Sequence, residues 1–424
     1  MTALKRRYKI GEKFKMLPKE KIIVGLEVGT SKVCAVVGEV LDDGNIMVIG
    51  VGRANSEGVR KGEIVNIDAA VERIHAAVAD AEESAGVEIH NVFASVSGGH
   101  IRSFNNRGTV AVTSDDREIT EEEVRSVLLN AKAVNIPMDH VVIHAIRQHF
   151  FVDGHDGIQN PVGMIGAKLE ADVHVIYGVR TRLQNTIKCI KHVPLDVANI
   201  AVAGFASALA VMTSEHQQLG AVVIDMGGGT TDYLVYSSGT IQHSGVIAVG
   251  GDHITNDIAI GLRIPMNRAE TLKIDHGSVE VPPDDEIITL KREVGLPDRQ
   301  VSKLQLCRVM NLRVEETLRL VKQELEKQKL LEYLGAGVFI TGGCARLKGL
   351  EALASQVFGL PVHIGHSRTV GGPTSAIESP EYSTAIGLVR YALGSQRDQH
   401  QPPSPFQKMS RSFQSLIQRV RAMI

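Results

Sequence analysis

The sequence predicts an α/β fold made of two related halves, with a smaller α+β subdomain inserted into the first half. Two observations carry this prediction. A strand–loop–strand unit near the N-terminus recurs in the second half of the chain. The segment between the two copies differs from both in its residue composition and in its predicted secondary structure. With 424 residues, 43% of them hydrophobic, the chain is long enough for roughly two to four packed domains. A duplicated unit of this kind implies a cleft between the copies.

The first copy begins the folded part of the chain. Runs of β-branched and other apolar residues predict its strands, and apolar residues at steps of three and four predict its helix. The predicted elements are strands at 22–27 and 33–40 joined by the turn at 28–32, a strand at 46–51, a helix at 67–85 and a strand at 92–96.

Residues 98–177 have a different texture, and we predict that they form an inserted α+β subdomain. One helix at 120–133 is opened by Thr120 as N-cap, with three glutamates in its first turn. Short strands are predicted at 141–146 and 173–177, around a loop rich in glycine, aspartate and asparagine.

The second copy repeats the order of strand, loop and strand. Strands at 221–224 and 232–236 enclose the loop 225–231, which reads DMGGGTT. The elements around it are predicted as helices at 182–192 and 203–213, a mostly helical stretch at 251–334 with a long amphipathic helix at 302–331, a strand at 338–341 and a last helix at 383–393.

The loop of the second copy has the chemistry of a phosphate site. Its three glycines at 227–229 let the backbone turn and bring N–H groups close to an anion. Asp225 precedes them and can hold Mg²⁺ through water. The hydroxyls of Thr230 and Thr231 follow and can touch phosphate or the metal's waters. A structural turn alone would need only one glycine.

The loop of the first copy, EVGTSK at 27–32, is a weaker signal by itself, because many hairpins contain Gly-Thr-Ser. Its place beside the second loop strengthens the pair. Lys32 can be interpreted as no more than an exposed turn charge.

Two Gly-Gly pairs complete the candidate site. Gly342 and Gly343 end a strand, where the backbone can lie against a base or ribose or form a plain turn. Gly250 and Gly251 precede a helix whose N-terminus can face phosphate.

Composition and missing motifs exclude several function classes. The net charge is −2 and there is no tryptophan, so nothing draws the chain as a whole to nucleic acid. The sequence contains no Walker A motif, no dinucleotide-binding fingerprint with a helix behind it, and no Ser or Cys nucleophile motif. The widely spaced cysteines favour reduced, buried thiols over disulfides or a metal cluster; they are Cys34, Cys189, Cys307 and Cys344.

The two ends of the chain have compositions of their own. Residues 1–20 are basic and lack an apolar segment, which predicts a disordered tail and not a secretory signal. Residues 394–405 have linker composition. Residues 406–424 predict an amphipathic helix on a membrane surface, with a partner-binding helix as the alternative. Its membrane-facing residues are Phe406, Met409, Phe413, Leu416, Ile417 and Val420, flanked by Arg411 and Arg419.

Seven motifs in a fixed order resemble a known family. They are VGLEVGTSKVCAVVGEV, GVRKGEIVNIDAAV, NPVGMIGAKLEADVHVI, VVIDMGGGTTDYLVY, AETLKIDHGSV, FITGGCARLKGL and YSTAIGLVRYA. The paired acidic phosphate loops resemble those of the actin, heat-shock chaperone and sugar-kinase superfamily. The whole set, over roughly residues 21–393, looks like the FtsA family of actin-like bacterial cell division proteins.

This resemblance implies an α/β, actin-like ATPase fold of the duplicated ribonuclease H-like type. The inserted α+β subdomain replaces the usual small subdomain, and a C-terminal amphipathic helix follows the fold. In the family's terms, subdomain 1A takes residues 21–97, 178–214 and 384–393, subdomain 1C takes 98–177, subdomain 2A takes 215–251 and 336–383, and subdomain 2B takes 252–335.

The resemblance also assigns binding residues for ATP and Mg²⁺. Glu27 and Asp225 face the metal, and Glu270 and Lys273, on one helix face, hold the ribose or adenine. Gly250, Gly251, Gly342 and Gly343 complete the base site. The phosphate contacts fall on Gly29, Thr30, Ser31, Gly227, Gly228, Gly229 and Thr230.

The resemblance assigns no catalytic residue to this chain. Relatives with firm ATPase activity tend to carry Glu or Gln where this chain has Ala203, and alanine cannot orient water. We therefore expect tight ATP binding with slow or no hydrolysis.

The implied partners are the C-terminal tail of FtsZ, further copies of the chain in filaments, membrane lipids and later division proteins. The implied place is the cytoplasmic face of the inner membrane at the division septum. The FtsZ tail is expected on subdomain 2B, with Arg313 and Glu316 as contacts; a solvated ion pair between these two residues is the alternative. A pilus-assembly actin-like adaptor and a small-molecule kinase of the same superfamily are the alternative functions.

Overall fold

Two five-stranded mixed sheets form the centre of the structure, a computed structural model that describes residues 21–290 and 298–400, with the backbone alone for 396–400. The strands of the first sheet, in spatial order, are β3 (Ile46–Asn55), β2 (Lys32–Val40), β1 (Ile22–Val28), β6 (Asn91–Val96) and β11 (Asp196–Val202). The strands of the second sheet, in spatial order, are β14 (Thr240–Ile247), β13 (Thr231–Ser237), β12 (Ala221–Met226), β17 (Val338–Thr341) and β18 (Val362–Ile364).

The two sheets have the same topology. In each, three antiparallel strands form a meander, and the first strand of that meander continues the sheet with two parallel strands. Each phosphate loop joins the first two strands of its meander. The predicted duplication is therefore confirmed, and the two loops occupy equivalent positions.

Helices cover both faces of the first sheet. Helices α1 (Ile67–Ala85) and α3 (Arg180–His192) pack on one face, and α4 (Ala203–Val211) and α11 (Ser383–His400) pack near the other. Helix α1 has the predicted bounds because Asn66 caps its first turn and Gly86, at φ 65°, ends it in the left-handed conformation. Helices α4 and α11 cross closely, since a Cβ on Gly387 would overlap the carbonyl oxygen of Ala206.

The second sheet carries a largely helical layer, which supplies a large apolar core. Its helices are α5 (Ser214–Leu219), α6 (Gly251–Leu262), α7 (Met266–His276), α8 (Lys303–Lys327), α9 (Leu350–Phe358) and α10 (Thr374–Ile377). Helix α8 begins after its N-cap Ser302 and ends at Lys327, short of the predicted residue 331. A hairpin of β15 (Ile287–Leu290) and β16 (Arg299–Ser302) interrupts the stretch that the sequence predicted as mostly helical.

The inserted subdomain is a four-stranded antiparallel sheet with one helix. In spatial order the strands are β7 (Arg102–Ala111), β10 (Lys168–Val179), β8 (His140–Val152) and β9 (His155–Ile158), and α2 (Glu121–Lys132) packs on them. Helix α2 has the predicted cap, in which Thr120 and Glu123 form a capping box.

Its strands differ from the prediction. The predicted short strands are β8, of 13 residues, and β10, of 12 residues, while β7 was missed. Polar side chains such as Arg147 and Gln148 break the apolar pattern of β8, but pairing with β10 carries the strand through them.

The ends of the described chain also bear on the predictions. Composition predicted a linker from residue 394, but α11 continues through this position to His400. The predictions for residues 1–20 and 406–424 lie outside the described residues. Within the described ranges, no helix combines the length and apolarity needed to cross a bilayer. The four cysteines are buried and free, as predicted.

Candidate nucleotide-binding site

The two phosphate loops meet in the cleft between the halves. A cavity of about 90 Å³ lies between them. The loops are in contact, because a Cβ on Gly228 would lie 2.9 Å from the Cβ of Ser31, and one on Gly229 would overlap the hydroxyl of Thr30. A side chain at either glycine would have no room unless the facing residue moved. The sequence had predicted these glycines for an approach to an anion, which stays a prediction.

Most of the predicted binding residues line this one cavity. They are Glu27, Gly29, Thr30, Ser31, Asp225, Gly227, Gly228, Gly229, Thr230, Gly342 and Gly343. Ala203, at the start of α4, lies in the same lining with 9% of its surface exposed. Thus the structure brings together residues that are far apart in the sequence.

Glu27 is paired within its own hairpin. Lys32 Nζ donates to both carboxylate oxygens of Glu27 at 2.7 Å, and Lys32 is only 8% exposed. Although burial opposes its charge, the carboxylate of Glu27 raises the pKa of the Lys32 ammonium. The interpretation of Lys32 as an exposed turn charge was therefore wrong. The strand register, with Glu27 opposite Cys34, places Lys32 diagonally across from the acid, which is the signal that could have found it.

Asp225 is held by hydroxyl groups outside its own copy. Ser207 of α4 and Thr384 of α11 both donate to its Oδ2, the latter at 2.9 Å, and the two hydroxyls lie 3.0 Å apart. Its Oδ1 faces Gly342, which has φ 86° and no room for a Cβ. Asp225 is 7% exposed, so the cavity is its main route to solvent or ligand.

Asp232 is a third acid of the cleft that the sequence-based site omitted. It lies opposite Asp225 in the β12–β13 hairpin and lines the cavity. Ser97, at the end of β6, donates to its carboxylate at 2.8 Å. Burial, and then repulsion from Asp225, raises the pKa of Asp232 to about 7. The signal was present in the loop sequence, where Asp232 follows the two threonines.

Thr231 and the Gly250–Gly251 pair have structural partners. The Thr231 hydroxyl donates to the carbonyl of Val249 at 2.8 Å, and Thr231 does not appear in the cavity lining. The N–H groups of Gly251 and Asp252 donate to the carbonyls of the second loop at 2.9 and 2.8 Å. The N-terminus of α6 therefore braces the second loop, where the sequence had suggested that it faces phosphate.

Glu270 and Lys273 share a face of α7, as their spacing predicted. Lys273 Nζ lies 2.6 Å from Glu270 Oε2 and 2.8 Å from the hydroxyl of Thr255. It also donates to the carbonyl of Gly251 at 3.3 Å. A Cβ on Gly251 would lie 2.9 Å from Cys344 Sγ, so this cluster adjoins the segment that follows Gly343.

A further ion cluster borders the cavity where the last helix begins. Glu381 is 8% exposed and contacts Arg53 of β3 at 3.0 Å and Arg346 at 3.3 Å. Arg53 and Glu381 both line the cavity, and neither was predicted. No local motif marks them, because the cluster joins residues from distant parts of the chain.

The charged residues that line the cavity are suited to a bound Mg²⁺ ion. The acidic groups outnumber the basic ones; the former are Glu27, Asp225, Asp232 and Glu381, and the latter are Lys32 and Arg53. A polyphosphate beside four carboxylates requires a cation, and carboxylate oxygens suit Mg²⁺. Within the described ranges, no group of three or more His, Cys, Asp or Glu is arranged to hold a metal. The residues therefore fit a metal held through water, and direct coordination by the protein alone does not fit.

The predicted FtsZ contacts lie one turn apart on α8, where Arg313 is half-buried and Glu316 is exposed. Arg313 Nε contacts Asp257 of α6 at 2.5 Å, and its Nη1 contacts Glu316. The ion pair that the sequence analysis kept as the alternative is therefore formed.

Solved structures with a similar fold include actin-like proteins. The chain is similar to a structure titled PilM-PilN type IV pilus biogenesis complex, with a TM-score of 0.62 and 15% identity over 88% of this chain and 98% of that one. It is also similar to MreB5 of Spiroplasma citri bound to ADP, with a TM-score of 0.54 and 16% identity over 91% of this chain and 100% of that one. These likenesses confirm the predicted actin-like fold.

Sequence comparisons identify the family. The model described as Cell division protein FtsA matches residues 222–387, and the model described as SHS2 domain inserted in FTSA matches residues 98–177, the range predicted for the inserted subdomain. The chain is 39% identical to the Cell division protein FtsA of Pseudomonas aeruginosa, over 89% of this chain and 91% of that protein. It is 37% identical to that of Escherichia coli K12, over 88% and 90%. The chain therefore belongs to the FtsA family of cell division proteins.

Proposed function

We propose that this protein is an ATP-binding, polymerising actin homologue that tethers FtsZ filaments to the cytoplasmic face of the inner membrane. We also propose that it recruits later division proteins to the septal ring. The observation that carries the proposal is the meeting of two phosphate loops, one from each half, around buried carboxylates in a member of the FtsA family.

The nucleotide is proposed to lie with its phosphates between the loops. The glycines of both loops give backbone N–H groups access to phosphate oxygens. Glu27 and Asp225, now joined by Asp232, are proposed to hold Mg²⁺ through water. The bound metal would neutralise phosphate charge next to these acids. Glu270 and Lys273 are proposed to hold the ribose or adenine, beside Gly250, Gly251, Gly342 and Gly343.

Because the cleft is closed, the proposal includes a change of conformation when nucleotide binds. The cavity of about 90 Å³ is smaller than the roughly 300–1,000 Å³ of typical ligand sites, so the halves must part to admit a nucleotide. Nucleotide would then bridge the loops and fix the angle between the halves. A fixed angle favours one filament geometry, which would couple ATP binding to polymerisation.

Hydrolysis is proposed to be slow or absent. Ala203 lies in the cavity lining, where it offers neither a proton acceptor nor a hydrogen-bond partner for water. The role of ATP is then to hold a conformation.

Membrane attachment is proposed to use residues 406–424. Each Lys or Arg near an anionic leaflet contributes about 1 kcal/mol, so one helix binds reversibly. Several copies on one filament would bind much more firmly through their effective concentration. FtsZ is proposed to bind subdomain 2B at the face that carries Arg313 and Glu316.

Sedimentation with anionic liposomes tests the proposal. We expect the full chain to co-sediment with liposomes, more strongly with ATP than with ADP, and to carry FtsZ into the pellet. Phe413→Glu puts a charge on the apolar stripe and should abolish pelleting, whereas Gln418→Glu adds the same charge to the opposite face and should weaken it much less. Equal pelleting of both variants, or FtsZ that stays in the supernatant, would contradict the proposal.

A phosphotransferase is the second candidate, because Asp232 is an acid of the cleft with a pKa of about 7. Family membership weighs against it. Incubation with radiolabelled ATP and a panel of small alcohols and carboxylates separates the two functions. We expect no labelled product, and stoichiometric transfer would favour the kinase.

Family membership also weighs against the pilus-assembly alternative.

A further inference from the structure

A short hairpin of the first half reaches over both phosphate loops. Its strands are β4 (Val59–Arg60) and β5 (Glu63–Ile64), joined by the turn Lys61-Gly62. The N–H groups of Val65 and Asn66 donate to the carbonyl of Gly58, and Glu63 forms an ion pair with Arg182 of α3. The base of this hairpin is therefore fixed to the first half.

The tip of the hairpin touches each loop. The N–H of Gly62 donates to the hydroxyl of Thr30 at 2.9 Å, in the first loop. A Cβ on Gly229, in the second loop, would lie 2.9 Å from both the Cα and the N of Lys61. The tip thus lies at the junction of the halves, beside two residues proposed to contact phosphate.

The residue at the tip is unusual for its conformation. Lys61 and Gly62 have φ values of 52° and 78°, so both turn residues are left-handed, as in a type I′ turn. Asn, Asp or Gly adopts this conformation at lower cost than a long side chain does. A lysine at this position is therefore less favourable for the turn than Asn, Asp or Gly would be.

The charge of Lys61 reaches the second half. Lys61 is exposed and belongs to no ion pair seen within the described ranges. Burial first, and then the nearby positive charge of Lys61, lowers the pKa of His253, in the first turn of α6. The backbone of Lys61 therefore belongs to the first half, while its ammonium affects a residue of the second half, His253.

We propose that Lys61 contacts the terminal phosphate of the bound nucleotide and makes the site prefer a triphosphate over a diphosphate. This inference rests on the proposed binding of ATP in the cleft. The backbone of Lys61 lies against Gly229, and the next residue, Gly62, lines the cavity and bonds to Thr30. The flexible, exposed side chain of Lys61 therefore starts beside the phosphate loops, and its ammonium, a compact point charge, suits an oxyanion. A diphosphate lacks the outermost group and would leave this contact unmade.

Competition titrations with a fluorescent ATP analogue test the proposal on the full chain. In Lys61→Asn the turn keeps a favoured residue, so the melting temperature should be equal or higher. Its affinity for ATP should fall roughly 10- to 100-fold, the loss expected for one charge-assisted hydrogen bond, while its affinity for ADP stays nearly unchanged. Lys61→Arg keeps the charge and should retain most of the preference for ATP.

Arg60→Gln is the matched control, because it removes the neighbouring exposed charge while leaving the turn intact. We expect its affinities to match those of the wild type. The inference is overturned if Lys61→Asn binds ATP as the wild type does, or if Arg60→Gln loses as much affinity. A wild-type chain that binds no ATP overturns the proposed function itself, so the two failures are distinguishable.

Discussion

In the first strand–loop–strand copy, Glu27 is neutralised by Lys32 from the same hairpin, through two hydrogen bonds of 2.7 Å. In the second copy, Asp225 and Asp232 accept hydrogen bonds from Ser207, Thr384 and Ser97, which all belong to elements packed with the first half. The acid of the first copy therefore has its partner within its own hairpin, although the loop itself touches the second loop. The second depends on its neighbour across the cleft.

This difference assigns the two copies different tasks. A self-contained ion pair keeps its environment when the halves part, so the first loop is mainly a stable platform. The acids of the second copy depend on hydroxyl groups of separate segments, so their hydrogen bonds depend on how those segments pack. The two loops are similar in sequence, and they differ in the residues that bind their acidic side chains.

Breaking the pair in the first copy should have the largest effect. Lys32→Ala leaves Glu27 in a largely buried place without its cation, and this should cost about 3–5 kcal/mol of unfolding free energy. Urea denaturation measures the loss. The double variant Glu27→Leu, Lys32→Met, which removes both charges, should recover most of it. If Lys32→Ala unfolds at the wild-type urea concentration, the pair is not the stabilising unit of the first copy.

Removing the charge of Asp225 should mainly affect ligand affinity. Asn at this position can still accept hydrogen bonds from Ser207 and Thr384, so folding changes little. The affinity for Mg-ATP should fall roughly 10- to 100-fold, measured by calorimetry with the metal present. Asp172→Asn, which removes an acid from the pair with Arg107 in the inserted subdomain, is the control. If both variants lost the same affinity for Mg-ATP, Asp225 would have no special role in binding the nucleotide.

The smallest expected effect is a pH dependence that belongs to the second copy. Because the pKa of Asp232 is raised from 3.8 to about 7, the folded chain holds a proton that the unfolded chain loses. This contribution to stability is present below about pH 4 and is lost as the pH rises through about 7. Mg²⁺ prefers the ionised acid, so affinity for Mg-ATP should increase between about pH 6 and 8.

Two variants check that Asp232 is the titrating group. Asp232→Asn should reduce the pH dependence to the part that comes from ionisation of the nucleotide's own phosphate. Ser97→Ala should move the midpoint upwards, because the Ser97 hydroxyl lowers the pKa of Asp232. A pH profile of Asp232→Asn that matches the wild type would assign the titration to another group.

Local features were predictable wherever the chain carries its own signal. The apolar spacing of the helix at 67–85, the cap at Thr120 and the three glycines at 227–229 act over a few residues, and each element lies where the sequence predicted it. The duplicated order of strand and loop was visible for the same reason.

The features that were missed depend on distant partners. The burial of Lys32 follows from the strand register, and the role of Asp232 follows from Ser97, which lies 135 residues earlier. Nothing in the sequence indicated that the first N–H groups of α6, on Gly251 and Asp252, bond to the second loop. The cluster around Glu381 joins three separate segments, and no sequence window contains it.

Helix α11 gives the cleft a mechanical connection. Thr384, in its first turn, contacts Asp225, and the helix continues as one element to His400. Its 18 residues span about 27 Å at 1.5 Å per residue. Because the same helix packs on the first sheet through Ala385, Ile386 and Val389, the end of the described chain keeps a fixed place relative to the first half. A label at residue 400 would therefore mark the first half in any measurement of the angle between the two halves.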